Sequence, residues 1–152
     1  MKPGCLVGVD FGTRRVGLAI SDAERRIAVP LAVYERQTVA RDAEHFRALA
    51  QKEAVAGWVV GLPVHMSGAE GKLAQDARRF GTWLSATTGL PVCYWDERLS
   101  SALADRLLAD TGMKARQRRG RLDQVAAQII LQSYLEAGCP EPEPPPPLHD
   151  GA

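Results

Sequence analysis

Asp10 stands inside an apolar run, Cys5-Leu-Val-Gly-Val-Asp-Phe-Gly-Thr-Arg-Arg-Val-Gly-Leu-Ala-Ile20. A carboxylate in such a strand is costly unless a cation, a hydrogen bond or a proton compensates it. Two further acidic positions stand at similar boundaries: Asp96-Glu97, after the apolar stretch 92–95, and Asp123, just behind a basic run. Three converging carboxylates repel one another unless divalent metal neutralises them. Oxygen-only donors suit Mg²⁺ or Mn²⁺. Two such ions ~3.5–4 Å apart can activate water and stabilise the leaving oxygen of a phosphodiester. Plainer readings exist for two of these positions. Asp123 also suits the first turn of a helix, where the helix dipole favours an acid, and Asp96 and Glu97 also suit an exposed turn paired with Arg98.

The basic residues point to a phosphate-rich substrate. Thr13, Arg14 and Arg15 follow Asp10 on a turn, and Arg98 follows Glu97. The run Lys114-Ala-Arg-Gln-Arg-Arg-Gly-Arg121, which includes Arg118 and Arg119, reads as a basic loop. A basic patch beside an acidic cleft would hold a nucleic-acid backbone during chemistry. His65, in the loop Gly61-Leu-Pro-Val-His-Met-Ser-Gly68, is a candidate substrate contact or general base, and equally an exposed loop residue.

Elements that would position these residues follow from hydrophobic periodicity. Residues 5–10 and 15–21 read as a hairpin, with a third strand over 27–34. Pro30 removes a backbone donor there and favours an edge. Residues 39–54 and 72–87 turn helical, the second stopped by Gly89. Residues 56–62 form a nearly continuous apolar run that suits a central parallel strand. A strand over 92–96 follows Pro91, then a helix to about 109 capped by Ser100 or Ser101, and a last helix over 122–137. The order predicts an α/β fold with a mixed sheet covered by helices. Sites in such folds lie at strand ends.

Composition narrows the classes. The chain has 152 residues, enough for one domain with a real core. Its net charge is only +1, so nucleic-acid binding must come from local clusters. No apolar run approaches the ~18 residues of a membrane span. Asp10 and Arg14 interrupt a secretory pattern, so a cytoplasmic protein is expected. The scattered Cys5, Cys93 and Cys139 propose neither a disulfide frame nor a zinc site. Residues 1–138 are expected to form the domain. The proline-rich tail over 139–152 is expected to be disordered or polyproline II.

In order and spacing, four segments resemble the YqgF family, also called RuvX. They are Gly8-Val-Asp-Phe-Gly-Thr-Arg-Arg-Val-Gly17, Val59-Val-Gly-Leu-Pro63 with the loop to Gly71, Asp96-Glu-Arg-Leu-Ser100, and Asp123-Gln-Val-Ala-Ala127 running on to Leu135. The resemblance implies an RNase H-like fold, with a five-stranded mixed sheet of order 3-2-1-4-5 and helices on both faces. It implies a metal-dependent nuclease that trims the 5′ end of precursor 16S ribosomal RNA in the cytoplasm, in contact with a pre-ribosomal particle. Cleavage of four-way DNA (Holliday) junctions is the alternative, and monomer and homodimer both remain open. The family's acids fall on Asp10, Glu97 and Asp123, with Asp96 as the alternative to Glu97. The chain departs from the pattern at His65 and Ser67, where Asn and Asp are usual. Gly120 stands where RuvC-like nucleases have a further acid. Two other classes fit parts of the sequence. Asp10-Phe-Gly-Thr13 resembles a phosphate loop of actin-like kinases, and a non-catalytic RNA-binding assembly factor would retain the basic patches.

Overall fold

A computed structural model describes residues 2–100, Leu103 and 115–141, the side chains of 115–124 excepted. The strands are β1 (Cys5–Asp10), β2 (Arg15–Ser21), β3 (Ala28–Glu35), β4 (Val55–Leu62) and β5 (Val92–Asp96). The helices are α1 (Val39–Lys52), α2 (Lys72–Thr88) and α3 (Ala115–Glu136), and a 3₁₀ turn over Glu97–Ser100 follows β5. The sheet order is β3-β2-β1-β4-β5. The β1–β2 and β2–β3 pairs are antiparallel, while β1–β4 and β4–β5 are parallel. This is the expected mixed sheet. The ends of β1, β3, β4 and β5 therefore share one edge of the molecule.

Each strand reads as its position requires. All eight residues of β4 are buried, as a central strand covered on both faces demands. β3 lies at the edge, and Pro30 sits where the β2–β3 register shifts, so its missing donor breaks no ladder. Thr38 caps α1 by accepting from the Arg41 N–H at 3.2 Å. Gly89 ends α2 in the left-handed conformation at φ 71°, where a side chain would be strained.

Two layers cover the sheet. Val7, Val9, Trp58 and Val60 meet Phe46 of α1 and Phe80 and Leu84 of α2 on one face. Leu6, Val59 and Cys93 meet Ala127, Ile130, Leu131 and Tyr134 of α3 on the other. α3 lies unusually close to the strands, and glycines make the room. A Cβ on Gly8 would stand 2.7 Å from Leu131 Cβ and 2.8 Å from the Ala127 carbonyl oxygen.

One sequence expectation is corrected. Residues 115–121 are the opening turns of α3, not a basic loop. Their charge argued for a solvated loop, but Ala, Arg and Gln are strong helix formers, and a helix face can be solvated too. The interior Gly120 costs about 1 kcal/mol relative to Ala and is carried by its neighbours. The helix expected over 101–109 lies outside the described residues except for Leu103, which is buried with Val125 and Ile129. The tail from 142 onward also lies outside them.

Candidate active site

The shared edge of the sheet gathers the singled-out residues. Asp10 ends β1 opposite Gly17 of β2. Its side chain lies on the α3 face: a Cβ on Gly17 would stand 3.5 Å from Asp10 Cβ and 3.8 Å from Ala127 Cβ. Glu97 opens the 3₁₀ turn after β5 and reaches back over β4. Its Oε1 would stand 2.8 Å from a Cβ placed on Gly61, beside Ile130 of α3. Burial first, and then the negative charges of Asp10 and Asp96, push the Glu97 carboxyl up to about 7. Asp10 and Glu97 thus both lie toward α3, near enough for the charge of Asp10 to raise the Glu97 carboxyl.

Asp96 has a different task. Its carboxylate accepts from Arg98 Nη2 at 2.6 Å and from the Arg98 backbone N–H at 2.9 Å, and these bonds hold it below the usual carboxylate range. The Arg98 guanidinium also donates to the His65 and Met66 carbonyls, at 3.4 Å each. Of the two, Glu97 turns toward Gly61 and Ile130 of α3, and Asp96 pairs with Arg98. Arg98, also expected to meet phosphate, ties β5 to the loop after β4. That loop is fastened at its far end by Glu70, which accepts from Arg78 at 2.6 and 2.8 Å. His65 and Lys72 line the hollow of about 450 Å³ that Glu97 shares with this loop.

α3 runs antiparallel to β1, since Leu131 lies over Gly8 while Ala127 lies over Gly8 and Gly17. Position 123, one turn before Ala127, therefore falls at the carboxyl end of β1. The side chains of Asp123, Arg118 and Arg119 lie outside the described residues.

Thr13, Arg14 and Arg15 are exposed on the β1–β2 turn. Gly12 allows that turn, because a Cβ there would collide with the Arg15 carbonyl oxygen. The Arg36 backbone N–H donates to the Arg14 carbonyl at 2.9 Å, which places Arg36 beside the turn. Sequence reasoning missed Arg36 and Lys72. Both sit just after an element boundary on the shared edge, a signal visible only once the strand order is known.

The sequence matches the family described as "RuvX: Holliday junction resolvase" over residues 4–137. This chain belongs to the RuvX family. Two relatives carry the name "Putative pre-16S rRNA nuclease". The one from Rhodopirellula baltica is 42% identical, over 88% of this chain and 78% of its own length. The one from Agrobacterium fabrum is 43% identical, over 86% and 82%. Among solved structures, T. thermophilus RuvC in complex with Holliday junction substrate superposes with a TM-score of 0.56 at 14% identity. That match covers 92% of this chain and 99% of RuvC, and it bears out the RNase H-like fold. The RuvX match contains Asp10, Glu97 and Asp123 and stops before the proline-rich tail. Among the described residues, no helix is long and apolar enough to cross a membrane.

Proposed function

We propose that this RuvX-family chain is a divalent-metal-dependent nuclease that trims the 5′ end of precursor 16S ribosomal RNA on a cytoplasmic pre-ribosomal particle. The observation that carries it is the approach of Asp10 and Glu97 on the α3 side of the sheet, next to the β1–β2 turn that carries Arg14 and Arg15. The names of the relatives support the choice of RNA.

The donor set fits a hard cation. Burial, together with the nearby charge of Asp10, leaves Glu97 holding a proton near neutrality when no cation is present. Asp10, Glu97 and Asp123 would hold Mg²⁺ or Mn²⁺. When bound, the cation supplies charge stabilisation to the phosphodiester under attack. The chain's own residues do the rest. Glu97 gives up its proton as the site fills. Arg14 and Arg15 hold flanking phosphates, and Thr13 adds a hydroxyl donor. The Asp96–Arg98 pair keeps Glu97 and the 63–71 loop in place.

Purified protein with Mn²⁺ will cut a precursor RNA carrying an unprocessed 5′ end faster than a four-way DNA junction of equal strand length. Preference for the junction would assign the same chemistry to DNA. No cleavage of either would support a binding factor.

The Glu97 carboxyl also sets a pH dependence. Its folded pKa lies above its unfolded one, so the folded chain holds this proton more tightly. The stabilisation is complete below the unfolded value and is lost as pH rises through about 7. In metal-free protein the loss is on the order of 3 kcal/mol. Thermal midpoints should therefore fall between pH 5 and 8, and Glu97→Gln should flatten that fall. Metal affinity should run the other way, weakening as pH drops below about 7. Calorimetry in buffers of different ionisation enthalpy would read the released proton.

A further inference from the structure

Two depressions meet at the turn after Asp10. One, of about 510 Å³, is lined by Thr13, Arg14, Arg15, Glu35, Arg36 and Gln37 and is mostly polar. The other, of about 380 Å³, opens between α1 and α2 and is mostly apolar, with Phe11, Phe80 and Trp83 in its wall. Thr13 and Arg36 belong to both.

The apolar half is an aromatic row. Phe11 and Phe80 have ring centroids 5.0 Å apart at 33°, and Phe80 and Trp83 lie 5.5 Å apart at 36°. The Arg36 guanidinium carbon lies 5.4 Å from the Phe11 centroid and 5.6 Å from that of Phe80. Arg36 Nε is 3.6 Å from Asp42, a buried carboxylate that also accepts from the Tyr34 hydroxyl at 2.6 Å and the Gln37 N–H at 2.9 Å. Arg36 is thus held at the junction between a cationic surface and an aromatic one.

A nucleotide has the same division, an anionic phosphate joined to a polarizable ring. We propose that the joined depressions bind one nucleotide flanking the cut. Its phosphate lies on Arg14, Arg15 and Arg36, and its unpaired base against the partly exposed Phe11 and Trp83, which the buried Phe80 backs. The inference rests on the nuclease reading and names a substrate feature of it: a single-stranded flank. Asp10 and Phe11 are adjacent in sequence and face opposite sides of the sheet. The substrate strand therefore crosses the end of β1, leaving its scissile phosphate on the α3 side. Three arginines favour this polyanion over an apolar peptide.

The test measures binding of a short single-stranded RNA to the full-length protein by fluorescence anisotropy, without added metal. In a series, one nucleotide at a time is made abasic. One position should weaken binding roughly tenfold, the scale of a lost base–aromatic stack. Trp83→Leu should weaken binding of the intact RNA by a similar factor and erase the abasic effect. Trp83→Phe should retain both. A flat abasic series with the native protein overturns the inference and needs no variant to fold; a depression that receives a partner's side chain would give this result. An abasic effect that survives Trp83→Leu overturns it too. Cleavage by the native protein with Mn²⁺ is scored separately, so a cutting enzyme with a flat series sinks this inference alone. Protein that binds RNA and cuts nothing sinks the nuclease reading alone.

Discussion

Asp10→Asn is expected to lower cleavage by roughly 10³-fold or more, the scale of losing a principal stabiliser of transition-state charge. The substitution keeps shape and removes charge, so the fold should remain. It also removes one of the two negative charges that raise the Glu97 carboxyl. Metal-free Asp10→Asn protein should therefore melt no lower than the native chain above pH 7, and Glu97 should titrate closer to an ordinary glutamate. Nuclear magnetic resonance titration of the Glu97 carboxyl reads that shift directly. Undiminished cleavage would refute the role given to Asp10. A large drop in thermal midpoint would mean that Asp10 is structural instead.

Gly8→Ala is expected to be the most damaging small change to the fold. The added methyl would meet Leu131 Cβ at 2.7 Å and the Ala127 carbonyl oxygen at 2.8 Å, neither of which can swing away. α3 would have to lift, at a cost of about 2–3 kcal/mol. For a chain of this size that is a fall of roughly 5–10 °C in thermal midpoint. Gly61→Ala makes the instructive contrast. There the methyl would meet Ile130 Cδ1 at 2.5 Å and Glu97 Oε1 at 2.8 Å, both ends of flexible side chains. Stability should change little, while displacement of the Glu97 carboxylate should cost activity roughly 10²-fold. Scanning calorimetry and cleavage rates on the pair would separate the two effects. Equal stability losses would contradict the account of what each glycine touches.

The strands and helices were legible because their apolar periodicities are local. β4 read as central from a single continuous run, and Pro30 read as an edge residue from its missing donor. The meeting of Asp10 with Glu97 was not legible in that way, because it depends on the order β1-β4-β5, which no local pattern encodes. Family resemblance supplied that order in advance. The choice between Asp96 and Glu97 escaped strand alternation because the strand ends between them. The 3₁₀ turn redirects Glu97 over Gly61, and Asp96 is left facing Arg98. At the opening of α3 charge and helix propensity give opposite answers, and helix propensity decides. Arg36 is not legible in the sequence, because its place beside Arg14 comes from the neighbouring turn rather than from its own sequence surroundings.

The close seat of α3 on Gly8 and Gly61 has a consequence for the order of events in the cell. Glu97 is desolvated partly by Ile130, and position 123 reaches the edge of the sheet only when this last helix docks. A nascent chain that has emerged only as far as β5 carries Asp10 and Glu97 but not the wall that completes their cleft. The site is therefore completed only once α3 has emerged and docked.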